Sequence, residues 1–465
     1  MKTAIRGTFF DFIDDPWKHV GKEQESARFI KDGLLILNDG IIEAFGPYEE
    51  LNANYKGIET THIKDRLILP GFIDGHVHFP QTRVLGAFGE QLLNWLQFSI
   101  FPEEIKYRDR DYAKDGAKRF FKTLAASGTT TCQAFTTSSV VATEEFFNGA
   151  SELNMRVIGG LPGIDVNAPK EFMTPPDEFY RDTKDLIGRF HNQGRNHYAI
   201  TPRFAYGATK ELLEKCKQLK KEHPDCWVNT HISESPSEIR GVLNQHTDCH
   251  DYLSVYEKYD LVGPKFSGGH GVWLSNDEFR RMSRAGAAVS FCPCSNLFLG
   301  SGVFRIGRAT DPKVRVKINL GSDCGGGNRF SMINVLDEAY KVGMLNNTLL
   351  DGSVNPLMQD LAEAERCKLS PYRAFWSVTL GGAEALYLDD KIGSFEPGKE
   401  ADFVALDWNS GPECMEWHQS LILGEKGLQT MKQAADLLFG IMTVSDDRAV
   451  DETWVMGKRI YKKKA

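Results

Sequence analysis

The feature of this sequence that most limits how it can fold is a repeated alternation of short apolar runs with helix-like stretches. The runs are rich in β-branched and aromatic residues, as buried strands are. Eight of them occur, at residues 67–78, 129–135, 155–165, 197–204, 226–234, 266–274, 287–296 and 317–325. Helix-like stretches lie between most of them, for example at 112–127, 208–222 and 276–285. Eight strands that alternate with helices predict an α/β fold of the (β/α)₈ TIM-barrel type.

A doubly wound open sheet is the alternative arrangement for such a pattern. It predicts a glycine-rich phosphate loop after an early strand. Neither a GxGxxG nor a GxxxxGK[ST] motif occurs in the chain. We therefore expect the closed barrel, in which the carboxyl ends of the strands meet and build the functional site.

The two ends of the chain differ from its centre, because short strands and turns replace the alternation with helices. Residues 33–37 and 40–44 are apolar and flank an Asn-Asp pair, as in a hairpin, and residues 453–461 resemble a second hairpin. We expect both ends to form one small β-sandwich beside the barrel. The predicted domains are 1–68 and 398–465 for the two parts of the sandwich and 69–397 for the barrel, with a loop at 349–363.

Charge and composition exclude several classes of partner. The chain has 465 residues and a formal net charge of −8, whereas a nucleic-acid-binding protein usually shows a basic excess. No apolar run reaches the roughly 20 residues that cross a bilayer, and the first residues do not resemble a signal peptide. Nine cysteines without a CxxC pair favour free thiols in a reducing compartment. We expect a cytoplasmic enzyme that acts on a small molecule and binds neither nucleic acid nor membrane.

Metal-binding side chains lie at the ends of four of the predicted barrel strands. His76 and His78 end the first strand, His231 the fifth and Asp323 the eighth, while His270 lies on the sixth. Alternate residues of a strand point to the same side, so His76 and His78 both face the mouth of the barrel.

Each of these residues has an ordinary structural explanation when taken alone. A histidine pair can be a polar strand end, a single histidine can be part of the core, and an aspartate can cap a helix. Such explanations do not account for metal-competent groups at the ends of four separate strands. Imidazoles together with a carboxylate suit Zn²⁺, and also Fe²⁺ or Mn²⁺. The pattern therefore predicts a divalent metal site.

The ordered set HxH, His, His and Asp on strands one, five, six and eight resembles the amidohydrolase superfamily and, within it, the guanine deaminase family. The resemblance covers nearly the whole chain. It rests on the stretches 70–81, 200–204, 291–302, 379–383 and 393–402. The specific parts are Pro80-Gln81, Pro202-Arg203-Phe204 and residues 295–302. The resemblance implies hydrolytic deamination of guanine to xanthine and ammonia, in purine catabolism or salvage.

The chain also departs from the family pattern at several positions. Ser235 stands where the family usually carries Asn, Cys294 where it often has Thr, and Tyr206-Gly207 where Pro-Thr is more common. The loop at 324–329 is unusual, and its Arg329 is a candidate to reach the pocket. These departures leave the metal site intact and leave the exact heterocycle open.

The resemblance also implies roles for individual residues. One zinc ion would be held by His76, His78, His231 and Asp323. A divalent metal lowers the pKa of a bound water to roughly 7 and so supplies hydroxide at neutral pH. Asp323 would take the proton of that water, and His270 would hydrogen-bond the attacking hydroxide. Glu234 would protonate the ring nitrogen and then the leaving amine.

The substrate contacts follow from the polar edges of guanine. By resemblance, Arg203 meets the ring carbonyl and Gln81 the far edge of the ring, while Glu234 and His270 also touch the substrate. Phe204 would form an apolar wall together with residues 92–96. The family expectation for assembly is a homodimer.

Three other functions fit parts of the pattern. The first is deamination of a related heterocycle on the same scaffold: a pterin such as isoxanthopterin, 8-oxoguanine or a triazine. The second is a non-enzymatic scaffold protein, and the complete ligand set argues against it. The third is a nucleoside-type zinc deaminase, whose HxE and PCxxC motifs do not occur here.

Overall fold

The structure is a computed structural model, and it describes residues 2–88, 91–350 and 360–464. The strands are β1 (Lys2–Phe12), β2 (Ala27–Asn38), β3 (Ile41–Pro47), β4 (Glu59–Pro70), β5 (Phe72–His78), β6 (Thr129–Phe135), β7 (Arg156–Gly160), β8 (Pro162–Gly163), β9 (Asn196–Pro202), β10 (Trp227–Ile232), β11 (Phe266–His270), β12 (Ala288–Phe291), β13 (Lys317–Leu320), β14 (Phe403–Leu406), β15 (Val450–Val455) and β16 (Lys458–Lys462).

The α-helices are α1 (Tyr48–Leu51), α2 (Leu92–Trp95), α3 (Phe101–Glu104), α4 (Arg110–Ala126), α5 (Val140–Glu152), α6 (Pro176–Phe190), α7 (Lys210–Glu222), α8 (Pro236–Gln245), α9 (Tyr252–Lys258), α10 (Asn276–Ala285), α11 (Pro293–Phe298), α12 (Ile306–Ala309), α13 (Met332–Leu350), α14 (Leu361–Cys367), α15 (Pro371–Ser377), α16 (Leu380–Ala385), α17 (Met415–Leu423) and α18 (Met431–Val444). Short 3₁₀ and π turns connect some of them.

Eight parallel strands form the barrel in the order β5, β6, β7, β9, β10, β11, β12, β13, and the short strand β8 pairs beside β9. Each lies within one of the eight predicted runs, except that β9 begins one residue before its run. At the carboxyl-terminal mouth, two backbone hydrogen bonds join the chain after β13 to β5: Asp323 N donates to His76 O (2.8 Å), and His78 N donates to Cys324 O (3.0 Å). The prediction of a (β/α)₈ barrel is confirmed.

The predicted helices start at residues that can cap them. Helix α10 begins after Ser275, whose side chain accepts from the backbone N–H of Glu278 while the Glu278 carboxylate accepts from Ser275 N. Such a reciprocal pair satisfies two donors that a helix start leaves unpaired. The helix ends at Gly286 in the left-handed conformation (φ +73°), which glycine adopts without steric cost. Helix α7 likewise follows Thr209 as its N-cap.

Both ends of the chain build the second sheet, which has seven strands in the order β16-β15-β14-β4-β1-β2-β3. The sheet curls so that the β2–β3 turn meets the opposite end: Ala401 N donates to Gly40 O at 2.8 Å. A side chain on Gly40 would come within 2.6 Å of Met456 O, so the approach requires glycine. Phe9 and Phe395 pack edge to face inside, with ring centroids 5.3 Å apart. The predicted sandwich from both chain ends is confirmed.

The domain limits and the predicted loop at 349–363 are not confirmed in the same way. The domain limits of 1–68, 69–397 and 398–465 stay a prediction. The predicted loop at 349–363 is wrong at its edges, because residues 349–350 belong to α13 and residues 361–363 begin α14, while 351–359 lie outside the described residues. Within the described ranges, none of the helices combines the length and the apolar character that a membrane span needs.

Candidate metal centre and active site

Glycines at two strand ends make room for a histidine inside the barrel mouth. The imidazole of His76 is fully buried. A side chain on Gly269 would lie 2.3 Å from His76 Cε1, and one on Gly321 would lie 2.5 Å from His76 Cβ. These distances are far below van der Waals contact, so larger residues would displace His76. The Gly-Gly-His and Leu-Gly-Ser-Asp sequences are therefore part of the site's construction.

The five metal-competent residues of the sequence meet in one cluster. His78 Nε2 lies 3.2 Å from His231 Nε2. One oxygen of Asp323, Oδ1, lies 3.4 Å from His76 Nε2 and 3.3 Å from His78 Nε2. Ligands about 2.0–2.1 Å from a tetrahedral zinc ion lie about 3.3–3.4 Å apart. The spacing of these donors therefore fits a single ion of that size.

The hydrogen bonds of the cluster leave imidazole nitrogens with a free lone pair that can bind a cation. His231 Nδ1 donates to the backbone carbonyl of Arg203 at 2.6 Å, which leaves the lone pair on Nε2. Both ring nitrogens of His76 and Nδ1 of His78 are buried without a hydrogen-bond partner. Buried polar atoms rarely remain unpaired. Of these three atoms, His76 Nε2 is the one that faces Asp323, so it indicates a ligand from outside the chain. The residues fit a divalent metal.

The electrostatics of the cluster agree with this. Burial, together with the neighbouring imidazoles, lowers the pKa of His231 well below its usual range, and burial also lowers the pKa of His78. Burial alone would raise the pKa of Asp323, but the imidazoles of His76 and His78 within 3.4 Å hold it well below the usual range. Neutral imidazoles and an ionised carboxylate are the forms that bind metal ions.

His270 stands beside the cluster and is turned toward Glu234. Its Nε2 lies 3.4 Å from Glu234 Oε2 and 3.9 Å from Asp323 Oδ2. Asn296 Nδ2 donates to His270 Nδ1 at 2.9 Å, which places the ring proton on Nε2. Burial lowers the pKa of His270 to about 3. His270 is thus a neutral donor aimed at the space between two carboxylates.

Glu234 is a buried acid in an apolar setting. Burial raises its pKa well above the usual range, and the nearby carboxylates of Glu238 and Asp323 raise it further. Ser301 Oγ donates to Glu234 Oε1 at 2.9 Å. A raised pKa favours the protonated form of the carboxyl group, which is the form that a general acid needs.

The predicted substrate-binding residues Arg203 and Gln81 lie together and share a partner that the sequence did not reveal. Arg203 forms a two-pronged ion pair with Glu104, with Nη1–Oε2 and Nη2–Oε1 both 2.9 Å. Gln81 Nε2 donates to the same Glu104 Oε1 at 2.8 Å, and Gln81 Oε1 accepts from Gly325 N at 3.0 Å.

These groups surround one cavity at the barrel mouth, which is where barrels of this type carry their small-molecule sites. Its lining includes His78, Gln81, Leu92, Trp95, Leu96, Arg203, Phe204, His231, Glu234, Glu238, His270, Leu299 and Asp323. Phe204, Leu92, Trp95 and Leu96 supply apolar surface to it, whereas Leu93 and Asn94 of the predicted wall are not among the lining residues. The indole N–H of Trp95 is buried and has no hydrogen-bond partner. The alternative candidate Arg329 is exposed and is not among the lining residues.

Asp74 helps to build the site but was not identified from the sequence. Asp74 is buried and accepts from His76 N and Ser322 N, so it ties β5 to the segment that carries Asp323. Its signal was a charged residue inside an apolar strand, two positions before the histidine pair. Ser235, which departs from the family pattern, caps α8 together with Glu238. Its role is to begin a helix, and it is not among the residues that line the cavity.

Comparison with known proteins agrees with the site. The family model of the amidohydrolase family matches residues 67–460. Guanine deaminase of Escherichia coli K12 is 40% identical over 99% of this chain and 98% of its own length, and guanine deaminase of Mus musculus is 30% identical over 99% and 97%. The crystal structure of guanine deaminase from Bradyrhizobium japonicum is 70% identical, covers 100% of both chains and superposes with a TM-score of 0.99. The chain therefore belongs to the amidohydrolase family and, within it, to the guanine deaminases.

Proposed function

We propose that this chain hydrolyses guanine to xanthine and ammonia in purine catabolism or salvage, with one zinc ion per chain. The observation that carries the proposal is a single cavity lined by an unpartnered metal-binding cluster, a buried acid and an arginine. The names of the relatives support guanine as the substrate, since those compared above over nearly their whole length are guanine deaminases.

The metal would be held by His76, His78, His231 and Asp323. When bound, it would lower the pKa of a water to roughly 7 and so supply the nucleophile at neutral pH. Of the two Asp323 oxygens, Oδ1 faces His76 and His78, while Oδ2 lies near His270 Nε2. We assign Asp323 Oδ2 to accept the proton of the attacking water, and His270 Nε2–H to hold the water oxygen in place.

Glu234 would move the proton that lets ammonia leave. In its protonated form it gives a proton to ring N3 of guanine as the water oxygen bonds to C2. The Glu234 carboxylate then takes the hydroxyl proton left at C2 and passes it to the amino group. The C2–N bond breaks with release of ammonia, C2 becomes the carbonyl of xanthine, and the water proton held by Asp323 returns to Glu234. Ser301 Oγ holds Oε1 of Glu234 by a hydrogen bond, which leaves Oε2 to carry the proton.

We assign recognition of the substrate to Arg203, Gln81 and Phe204, which also line the cavity. Arg203 carries only N–H donors, so it favours an oxo group over an amino group at the position it meets. Guanine has that group at C6. Gln81 lies next to Arg203 through their shared partner and would meet the far edge of the ring, while Phe204 would pack against it.

The test is a spectrophotometric assay of one preparation against guanine, isoxanthopterin, 8-oxoguanine and a triazine, with metal analysis of the same sample. We expect the highest kcat/KM for guanine and about one zinc per chain. A higher kcat/KM for another of these heterocycles would assign the chain to that substrate instead.

Assembly and location complete the proposal. We expect a homodimer in the cytoplasm, where the nine free cysteines would stay reduced. Sedimentation of the purified chain at several concentrations tests the first expectation, since a monomer at all of them would contradict it.

A further inference from the structure

A fully buried carboxylate outside the cavity joins two of the substrate-binding residues. Glu104 ends the short helix α3, its side chain is 0% exposed, and it is not among the residues that line the cavity. Its two oxygens accept three hydrogen bonds from Arg203 and Gln81, at 2.8–2.9 Å. A fork-to-fork pair of this kind fixes the plane of a guanidinium as well as its position.

The surroundings of the pair make this constraint strong. The guanidinium carbon of Arg203 lies 5.7 Å from the ring centre of Phe101 and 5.4 Å from that of Phe172, and these two rings pack at 4.8 Å. Arg203 itself is only 2% exposed. In such an apolar setting, charges attract each other more strongly than in water, and an arginine without its partner would be a buried unpaired cation.

The pairing also decides which groups remain for a ligand. Each terminal nitrogen of Arg203 has two N–H bonds and uses one on Glu104, so one on each remains available to a ligand in the cavity that Arg203 lines. Gln81 Oε1 accepts from Gly325 N, and one Gln81 N–H is taken by Glu104. With Glu104 in place, this part of the lining therefore offers oriented N–H donors, which match the oxo group at C6 of a purine and repel an amino group there.

We propose that Glu104 is a positioning residue for specificity: by holding Arg203 and Gln81 as one unit, it makes the cavity prefer purines with an oxo group at C6. The proposal rests on the function proposed above, because it takes Arg203 to be the reader of that oxygen. No step of the reaction passes through Glu104 itself.

The test compares two purines that carry no amino group at C2 and are not turned over. Hypoxanthine carries the C6 oxygen and its accompanying N1 proton, and purine carries neither. Their dissociation constants are measured by titration calorimetry on the metal-loaded wild type and on Glu104→Gln. We expect wild type to prefer hypoxanthine by roughly 10–100-fold, the worth of a hydrogen bond to a charged donor. In Glu104→Gln the preference should fall to a few-fold, because one amide N–H now faces the guanidinium.

The matched control is Glu103→Gln. Glu103 precedes Glu104 in the same helix and is also buried, but its oxygens accept from Tyr112 Oη and Lys106 Nζ. We expect this variant to keep the wild-type preference for hypoxanthine. A merely structural effect of changing a buried carboxylate in α3 would weaken both ligands alike and would appear in both variants.

A second variant protects the test from poor folding. Glu104→Asp keeps the charge but shortens the side chain, so it cannot hold both nitrogens of Arg203 and Gln81 at once, and the preference should fall in this variant too. In the Arg203→Met background, Glu104→Gln should not change the preference further, since the side chain that would bind the C6 oxygen is already absent. If wild type deaminates guanine but both Glu104 variants keep the full preference, Glu104 has no role in specificity. If wild type does not act on guanine, the proposed function itself fails.

Discussion

The two sides of the cavity treat their polar groups in opposite ways. On the metal side, His76 Nε2 is buried and unpartnered, and the Nε2 atoms of His78 and His231 face each other at 3.2 Å. On the substrate side, Arg203 and Gln81 are held by Glu104 and Gly325. One side is incomplete without a cation, whereas the other is already arranged.

The difference shows how the two sides would bind their ligands. Unpaired buried lone pairs cost free energy until a metal satisfies them, so the metal side gains its order from the ion. The substrate side has its order before any ligand arrives, and preorganised donors lose little freedom on binding. Removing one metal ligand should therefore abolish metal binding, whereas removing one residue of the substrate side should only reduce the selectivity for the substrate.

The largest effect is expected from His231→Ala. Removing this ligand should reduce the zinc content to near zero and turnover by at least roughly 10⁴-fold, because ordinary water, with a pKa near 16, is a far weaker source of hydroxide than metal-bound water. Metal analysis and a guanine assay check both. The exposed His62 provides the control, since His62→Ala should keep its zinc. Full metal content in His231→Ala would remove His231 from the ligand set.

Glu234→Gln should separate chemistry from metal binding. The amide can accept from Ser301 but cannot deliver a proton, so kcat should fall by roughly 10²–10⁴ while zinc stays bound. The control is Glu278→Gln, which changes a buried carboxylate that caps α10 away from the cavity and should leave kcat unchanged. Near wild-type turnover in Glu234→Gln would assign the proton transfer to another group.

Arg203→Met should narrow the gap between guanine and 2,6-diaminopurine, which carries an amino group at C6. Discrimination by a buried hydrogen-bonding group can reach about 10⁴, and most of it should disappear while the metal stays bound. The measurement is kcat/KM for both bases, made also in the Arg203→Met, Glu104→Gln double variant so that no unpaired carboxylate remains. An unchanged ratio in both proteins would show that Arg203 does not read this position.

The smallest effect is expected from Trp95→Phe. The unpartnered indole N–H of Trp95 lines the cavity, and a ligand acceptor should satisfy it. Loss of one such hydrogen bond should lower kcat/KM for guanine by roughly 2–10-fold. Trp376 also has a buried, unpartnered N–H but is not among the lining residues, so Trp376→Phe should leave kcat/KM unchanged. Equal losses in both variants would reduce the role of Trp95 to packing.

The sequence was most informative about the metal side for a physical reason. His76, His78, His231 and Asp323 lie at or just beyond the ends of barrel strands, and strand ends of one barrel meet at one mouth. Local periodicity therefore brought together residues far apart in the chain. The strands themselves were found in the same way, since each observed barrel strand lies inside a predicted apolar run to within one residue.

Glu104 shows where this reasoning stops. It lies in a four-residue helix between β5 and α4, with no periodic pattern around it, and its neighbours Glu103 and Lys106 are also charged. Only the tertiary contact with Arg203, 99 positions away, distinguishes it from a surface carboxylate. The same holds for Ser301 and Asn296, which orient Glu234 and His270 across the barrel mouth.

The contrast between an incomplete and a preassembled side is tested most directly by titrating zinc into chelator-treated protein while guanine turnover and ammonia release are followed. We expect no turnover without metal, a linear rise that ends at one zinc per chain, and one ammonia released for each xanthine formed. Hypoxanthine should already bind to the metal-free protein in preference to purine, because Arg203 is held by Glu104 and not by the ion. Turnover without metal, or an end point at two zinc ions per chain, would contradict the single metal centre proposed at His76, His78, His231 and Asp323.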